Sequence, residues 1–171
     1  MRVVVGVSGS PGSLAALHRA VAEARRAAER GGAAQVLALH AWEPPGGEFG
    51  YRRSPFPPLL SAVREEAERR LREAVAETGA DRAGVPVTAL TVRAAPATAL
   101  LTAADRPDDL LVLGPAGTWW HRGLRASVPA HCVRRSRCPV LVVPRPELAL
   151  LLDGLTRRAV DAELRDLVAR G

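Results

Sequence analysis

The residues best suited to chemistry follow a short apolar run near the middle of the chain. Leu110–Leu113 predicts a buried strand, and the loop that follows it contains Gly114, Gly117, Ala126 and Ser127. A glycine-spaced loop between a strand and a helix start lets backbone amides approach an anion at the positive end of the helix dipole. The segment therefore predicts a binding site for a phosphate or a similar anion.

A second loop of the same kind lies near the start of the sequence. Residues 3–7 predict a continuous apolar strand of a parallel sheet, and Ser8, Gly9 and Ser10 follow it ahead of a helical repeat. Ligands of doubly wound sheets bind beyond the carboxyl ends of the strands. Because both loops follow strands directly, we expect them to face one crevice.

The elements that must position these loops alternate between strand and helix patterns. Further strands are predicted at residues 36–42, 85–92 and 139–143, and helices at residues 14–28, 60–75, 98–104 and 127–135. The Pro/Gly-rich residues 43–58 are predicted to form a long surface loop. The alternation favours parallel crossovers, and hence an α/β fold with a doubly wound sheet and helices on both faces.

The last residues, 146–171, fall outside this pattern and predict an amphipathic helical tail on a domain that spans residues 1–145. Apolar side chains recur there at helical spacing with charges between them, and Gly154 interrupts the pattern: Leu148, Leu151, Leu152, Leu155, Val160, Leu164, Leu167 and Val168. Such a stripe must be buried. The alternatives are packing on its own domain and contact with a partner subunit or another protein.

Composition excludes several classes of protein. The chain has 171 residues, of which 47% are hydrophobic and 25% charged, as in ordinary globular domains. All 24 basic residues are arginines, so a Walker A loop, which requires lysine, is excluded. The net charge is +6, but many arginines alternate with glutamates on one predicted helix, and this favours a solvated face over a nucleic-acid surface.

The start of the chain and its apolar runs bear on its location. The sequence opens on a strand-like run without a signal segment, and residues 148–152 are too few to span a bilayer. We therefore expect a cytoplasmic protein with neither a membrane nor a nucleic acid as its partner.

Histidines and cysteines form no recognisable catalytic arrangement. Cys132 and Cys138 have a spacing typical of neither zinc nor redox pairs, which predicts buried thiols. Structural roles are favoured for the histidines on predicted strands and helices: His18, His40 and His131. Only His121 lies in a loop where catalysis is plausible. Because no general base for water is recognisable, we expect binding without efficient turnover.

Several segments together resemble the universal stress protein family over about residues 1–145. They are Val-Gly-Val-Ser-Gly-Ser-Pro at residues 5–11, Asp-Leu-Leu-Val-Leu-Gly at 109–114, Ser-Val at 127–128 and Cys-Pro-Val-Leu-Val-Val at 138–143. The resemblance implies a flavodoxin-like or Rossmann-like, adenine nucleotide alpha hydrolase-like domain with a five-stranded parallel sheet of order 3-2-1-4-5. It also implies a homodimer joined through the last strand, residues 140–143.

The resemblance further implies an ATP site, with Mg²⁺ accompanying the nucleotide, at the carboxyl ends of the strands. Its residues in this chain would be Val7, Ser8, Gly9, Ser10, Ala41, Gly114, Gly117, Ala126, Ser127 and Val128. Ser8 stands where the family's ATP binders have aspartate, and Ala126 stands where they have glycine. The loop is also one residue short of their pattern. Trp119 and Trp120 lie inside it, where they would either cover a base or plug the site.

Three hypotheses about function follow. The first is a regulatory domain that binds ATP or another adenine nucleotide without efficient hydrolysis. The second is a degenerate, dimeric interaction module that binds no nucleotide. The third is a small ATP-using enzyme, because residues 8–13 superficially resemble the loop of ATP pyrophosphatases, although Gly12 takes the aspartate position.

Overall fold

A five-stranded parallel sheet forms the centre of the chain in a computed structural model, which describes residues 1–115 and 127–145. The strands are β1 (Arg2–Gly6), β2 (Gln35–Trp42), β3 (Val87–Arg93), β4 (Leu110–Leu113) and β5 (Val140–Val142). Their order across the sheet is β3-β2-β1-β4-β5, and all neighbouring pairs are parallel. The predicted fold class and strand order are confirmed.

Helices connect the strands in the described ranges. They are α1 (Pro11–Glu29), α2 (Gly47–Arg53), α3 (Pro57–Glu77), α4 (Pro96–Ala103) and α5 (Val128–Arg135), with a 3-10 turn at Ala80–Arg82. The predicted α1, α3, α4 and α5 are present, with ends that differ by a few residues. Among the described residues, no helix combines the length and the apolar character that crossing a bilayer requires.

The prediction of a loop over residues 43–58 is wrong, because α2 lies inside that range. Helix α2 has Glu48 in its first turn and Arg52 and Arg53 in its last, which complements the helix dipole. Arg93 on β3 fixes the helix by donating from Nη2 to a carboxylate oxygen of Glu48 at 2.9 Å. No residue of α2 is buried, so apolar periodicity could not have revealed this helix.

The side chains of the central strands alternate between two hydrophobic cores. Val3 and Val5 pack with α1 and α3 on one side of the sheet, which we call the α1 face. Val4 and Leu111 pack with α4 and α5 on the opposite side, the α4 face. Because the central strands are buried on both sides, their sequences are continuous apolar runs rather than alternating patterns.

Both cysteines lie in the core of the α4 face, as predicted, and neither forms a disulfide. Burial, with a smaller contribution from nearby Cys138, raises the pKa of Cys132 to about 11. The Cys132 thiol therefore stays protonated at neutral pH, and it acts as a packing group rather than a nucleophile.

A buried ion pair fixes the amino-terminal edge of the sheet. Arg2 donates from Nε to Oδ1 of Asp109 at 3.2 Å and from Nη2 to Oδ2 at 2.7 Å. The same guanidinium donates to the Ala103 carbonyl and to Asp105, both at 2.8 Å. The Asp109 side chain is 0% exposed, whereas that of Asp105 is 62% exposed. The pair ties the start of β1 to the connection between α4 and β4.

The pKa of Asp109 follows from two opposing effects. Burial alone would raise it, but hydrogen bonds from Arg2 and from the Arg106 amide outweigh burial and hold it below its ordinary value. A depressed pKa means that the carboxylate stabilises the fold above the ordinary aspartate pKa of about 3.9. That stabilisation is lost as the pH falls through the lower pKa of the folded state.

Two glycines bring the loop after β4 against the start of α1. A Cβ on Gly114 would lie 2.7 Å from the Gly12 carbonyl oxygen and 3.1 Å from the Ser13 amide nitrogen. A Cβ on Gly12 would lie 2.7 Å from Cδ of Pro115. Gly114 meets backbone atoms and Gly12 meets the proline ring, so neither position has room for a side chain, and these contacts set the distance between the two loops.

We expect Asp109→Ala to lower the free energy of unfolding by about 3 kcal/mol at pH 7, because Arg2 is left partly buried without its main partner. Urea denaturation measures the loss. Asp105→Ala removes an exposed partner of the same arginine and should cost less than about 1 kcal/mol. The difference in the free energy of unfolding between the wild type and Asp109→Ala should become smaller as the pH falls below about 4. Equal losses for the two variants would contradict the assignment.

Gly114→Ala should lower the free energy of unfolding by about 1–3 kcal/mol, since the added methyl group overpacks a backbone contact that has no side chain to yield. The control is Gly50→Ala in α2, where the nearest atom to the new Cβ would be 4.0 Å away. This control should be neutral or stabilise by up to about 1 kcal/mol. An unchanged unfolding midpoint for Gly114→Ala would show that the contact does not constrain the loops.

Candidate functional site

A cavity of about 350 Å³ lies at the carboxyl ends of β1, β2 and β4. It contains seven of the ten predicted site residues: Val7, Ser8, Ser10, Ala41, Gly114, Ser127 and Val128. Gly9 is not in its lining and instead borders a neighbouring hollow beside α3. The two predicted loops therefore face one crevice.

Several predicted residues lie outside the described residues. They are Gly117, Ala126, Trp119, Trp120 and His121, together with the tail from residue 146. The structure thus places both ends of the glycine loop, at Gly114 and Ser127, and these lie in the same cavity.

Sequence reasoning missed part of the cavity lining. The additional residues include Ser13, Leu39, His40, Pro96, Leu100 and Leu113. Pro96 and Leu100 belong to α4, which was predicted as a helix but was not assigned to the site. The sequence could have assigned α4 to the site, because α4 begins just after a strand and the helices that start at that edge of the sheet converge.

The turn between β1 and α1 is held by its own serines. The Ser13 hydroxyl accepts from the Ser8 amide at 3.1 Å and donates to the Ser10 carbonyl at 2.8 Å. The Ser8 and Ser10 hydroxyls lie 3.1 Å apart at the exposed rim. Gly9 has φ of +81°, which other residues rarely adopt. The turn is therefore preorganised, and two hydroxyls face the mouth of the cavity.

Three helices begin at the cavity, and each has a proline in its first turn: Pro11 in α1, Pro96 in α4 and Pro129 in α5. Proline favours this position but has no amide hydrogen to donate. Hydroxyls also cap two of the helices, since Ser10 accepts from the Ser13 amide and Ser127 accepts from the Ala130 amide. The positive ends of the dipoles remain, but they bring few free amide donors.

His40 joins the ends of β1 and β2. Its Nδ1 lies 2.6 Å from the Val7 carbonyl oxygen, and the Val7 amide donates to the Leu39 carbonyl at 2.9 Å. Because a carbonyl only accepts, Nδ1 carries the hydrogen. This bond gives His40 the structural role that the sequence predicted, within the lining of the cavity.

The chemical character of the cavity is mainly apolar. Leu39, Ala41, Leu100 and Leu113 form walls of carbon atoms, and the Ser8 and Ser10 hydroxyls lie at the rim. Among the described lining residues, His40 is the one ionisable side chain. The described residues also contain no group of three or more side chains suited to hold a metal ion. An apolar slot with a few polar groups suits a flat heteroaromatic ring attached to a polar group.

Solved structures with the same fold include proteins with bound nucleotides. A universal stress protein in complex with cAMP is 33% identical, with 85% of this chain and 98% of that chain covered and a TM-score of 0.54. UspA from Lactobacillus plantarum is 21% identical, with 84% and 97% covered and a TM-score of 0.64. A family member from Arabidopsis thaliana with AMP bound is 19% identical, with 85% and 92% covered and a TM-score of 0.57.

Comparison of the sequence with protein families gives a match over nearly all of the described residues. The model of the universal stress protein family matches residues 1–144. Comparison with curated proteins gave no significant match. The family match covers the sheet and both loops of the cavity, and a relative of known structure is 33% identical over 85% of the chain. The chain belongs to the universal stress protein family.

Proposed function

We propose that this chain is a regulatory domain that binds an adenine nucleotide in the cavity at the carboxyl ends of β1, β2 and β4. The observation that carries the proposal is the convergence of an apolar slot, a serine rim and three helix starts in one cavity. The 33% identical relative was crystallised with cAMP, which supports an adenine nucleotide as the ligand class.

In this proposal, each part of the nucleotide lies against a different wall of the cavity. The adenine packs against Ala41, Leu39 and Pro96, where the walls are apolar and small. The ribose lies beside the turn that includes Val7, Ser8, Gly9 and Ser10, whose hydroxyls match its own hydroxyls. The phosphate lies toward Gly114, Ser127 and Val128, near the positive end of α5. Gly117 and Ala126, which lie outside the described residues, remain sequence predictions for the phosphate side.

ATP with Mg²⁺ is one ligand within this proposal. Ser8 supplies a hydroxyl where the ATP binders of the family supply an aspartate, and a hydroxyl carries no charge to hold a divalent cation. We therefore expect Mg²⁺ to contribute little to nucleotide affinity in this chain. AMP and cAMP, which do not depend on a metal to shield a triphosphate, should bind at least as well.

Regulation rather than turnover is the proposed outcome of binding. The described lining contains no carboxylate to activate water, and Nδ1 of His40 is engaged by Val7. Strand β5 lies at an edge of the sheet, where its outer backbone groups can pair with those of a second copy. We therefore propose a cytoplasmic homodimer joined through residues 140–143.

A second candidate function is an interaction module that binds no nucleotide. One observation favours it. The Ser10 and Ser127 hydroxyls already accept hydrogen bonds from their own helices, so they are less available to accept hydrogen bonds from a ligand. The two candidates differ in whether any adenine nucleotide occupies the cavity. Binding measurements on the purified chain separate them.

Ala41→Phe should lower the affinity for AMP and cAMP at least tenfold, or by about 1.4 kcal/mol, because the ring fills the apolar slot. Calorimetric titration measures the affinity, and mass spectrometry identifies any nucleotide released from the denatured wild type. Ala89→Phe is the matched control, since Ala89 is exposed on β3 outside the cavity. If the folded wild type gives no heat with millimolar AMP, cAMP or ATP, the proposal of nucleotide binding is wrong.

Ser8→Asp should strengthen the binding of ATP in the presence of Mg²⁺ about fivefold, or by about 1 kcal/mol, by adding a carboxylate that can hold the metal. The gain should disappear when EDTA removes the metal. Ser54→Asp, an exposed change at the end of α2, controls for net charge. An equal gain with and without Mg²⁺ would show that the added carboxylate does not act through the metal.

A further inference from the structure

A second cavity, of about 340 Å³, lies between α1 and the connection from α3 to β3. Its lining includes His18 and Arg25 from α1, and Gly79 and Arg82 from the connection. It shares no described lining residue with the cavity at the carboxyl ends of the strands. We call it the arginine cavity, and it is a separate place for a ligand.

The charge of the arginine cavity is positive. Arg25 and Arg82 line it, and its described lining contains no carboxylate. Other arginines of α1 are neutralised, since Arg19 and Arg26 both donate to Glu23, at 2.7 and 2.8 Å. Arg25 forms no ion pair with any described residue. Its charge is therefore available to an anion.

Arg82 also has no hydrogen-bond acceptor among the described residues. Oδ1 of Asp81 lies 3.7 Å from its Nε, which is too far for a hydrogen bond. Nη2 of Arg82 lies 3.8 Å from the position that a Cβ on Gly79 would take. The guanidinium therefore lies against the wall of the cavity, with N–H groups that a ligand can engage.

His18 and Arg25 lie on one stripe of α1. Residues seven positions apart are on the same side of an α-helix, about two turns from each other. Val21 and Ala22 lie between them in the lining. The α1 side of the cavity thus has an imidazole and a guanidinium separated by an apolar floor, and Arg82 adds a second guanidinium from the other side.

This arrangement suits a phosphate group with a small organic substituent. A guanidinium matches phosphate oxygens with two parallel hydrogen bonds. A phosphate monoester carries nearly two negative charges at pH 7 and offers three acceptor oxygens, so two arginines balance it. The apolar floor can contact the organic part.

We propose that the arginine cavity binds a small phosphate monoester, with the phosphate between Arg25 and Arg82. The imidazole of His18 is a further hydrogen-bonding partner at the same stripe of α1. The proposal does not depend on nucleotide binding at the carboxyl ends of the strands.

A purely structural role for these cations makes a different prediction. The last turn of α3 contains no basic residue, and Arg82 follows that helix end closely. A cation there stabilises the negative end of a helix dipole. In that case the arginines would contribute to stability equally with and without phosphate.

NMR titration of the full-length chain with glycerol 3-phosphate, at constant ionic strength, tests the site through the amide of Gly79. We expect a saturable shift with half-saturation on the order of 1 mM. Arg25→Gln and Arg82→Gln should each weaken binding at least tenfold, because each removes charged hydrogen bonds. The matched control is Arg72→Gln in α3, an exposed arginine outside the cavity that forms no ion pair with a described residue.

Three results of this titration would overturn the proposal. They are a shift that does not saturate, equal weakening by Arg72→Gln, and tighter binding of inorganic phosphate than of glycerol 3-phosphate. The amide of Gly114 reports binding at the carboxyl ends of the strands in the same spectra. Failure of the arginine cavity is therefore distinguishable from failure of the proposed nucleotide site.

Urea denaturation separates binding from the structural role. Saturating glycerol 3-phosphate should raise the unfolding midpoint of the wild type and of Arg72→Gln, because a ligand of the folded state stabilises it. It should raise the midpoint of Arg25→Gln much less. If the ligand raises all three midpoints equally, or none of them, the cations have only the structural role and the proposal is wrong.

Discussion

The burial of β1 on both faces is the constraint on which the rest of the structure depends. Val3, Val4 and Val5 are each 0% exposed, and the strand pairs with β2 on one side and β4 on the other. A strand in this position must be apolar throughout, so its polar contacts are confined to its two ends. Arg2 at one end binds the buried Asp109, and Val7 at the other end is held by His40 and Leu39. The loops of the cavity are positioned from this fixed strand.

The cavity keeps its shape through backbone packing rather than through groups that would hold a ligand. Gly114 leaves room for the carbonyl of Gly12, so a glycine is required there whether or not a phosphate binds. The glycines of this loop therefore indicate the family and the backbone packing of the site, and they do not indicate whether a ligand binds there. The chemistry of the ligand depends on the side chains at the rim, and there this chain has Ser8 instead of a charged residue.

The two ends of the sheet have different tasks. The amino-terminal edge carries the Arg2–Asp109 pair, whose charges are satisfied internally, and the carboxyl-terminal edge carries the cavity. The ion pair and the cavity therefore lie at opposite ends of the same strands. Substitutions at the rim of the cavity leave the ion pair that holds β1 against β4 in place.

The sequence by itself determined the order of most strands and helices, the buried character of the central strands and, through its resemblance to a family, the strand order. The elements and their burial are local properties, since each depends on residue types within a few positions, whereas the strand order was implied by the family resemblance. It did not reveal α2, whose residues are all at least partly exposed and which relies on Arg93 from β3. Nor did it assign Pro96 and Leu100 to the cavity, since that depends on where a helix crosses the sheet.

Only the tertiary structure decided the contacts between distant residues. Arg2 meets Asp109 across 107 positions of the chain, and Gly12 meets Gly114 across the start of α1. No local pattern encodes such pairs, because they arise when parallel strands bring their equivalent ends together. The physical reason is that secondary structure follows short-range periodicity, whereas the shape of a site follows the register between strands that are remote in sequence.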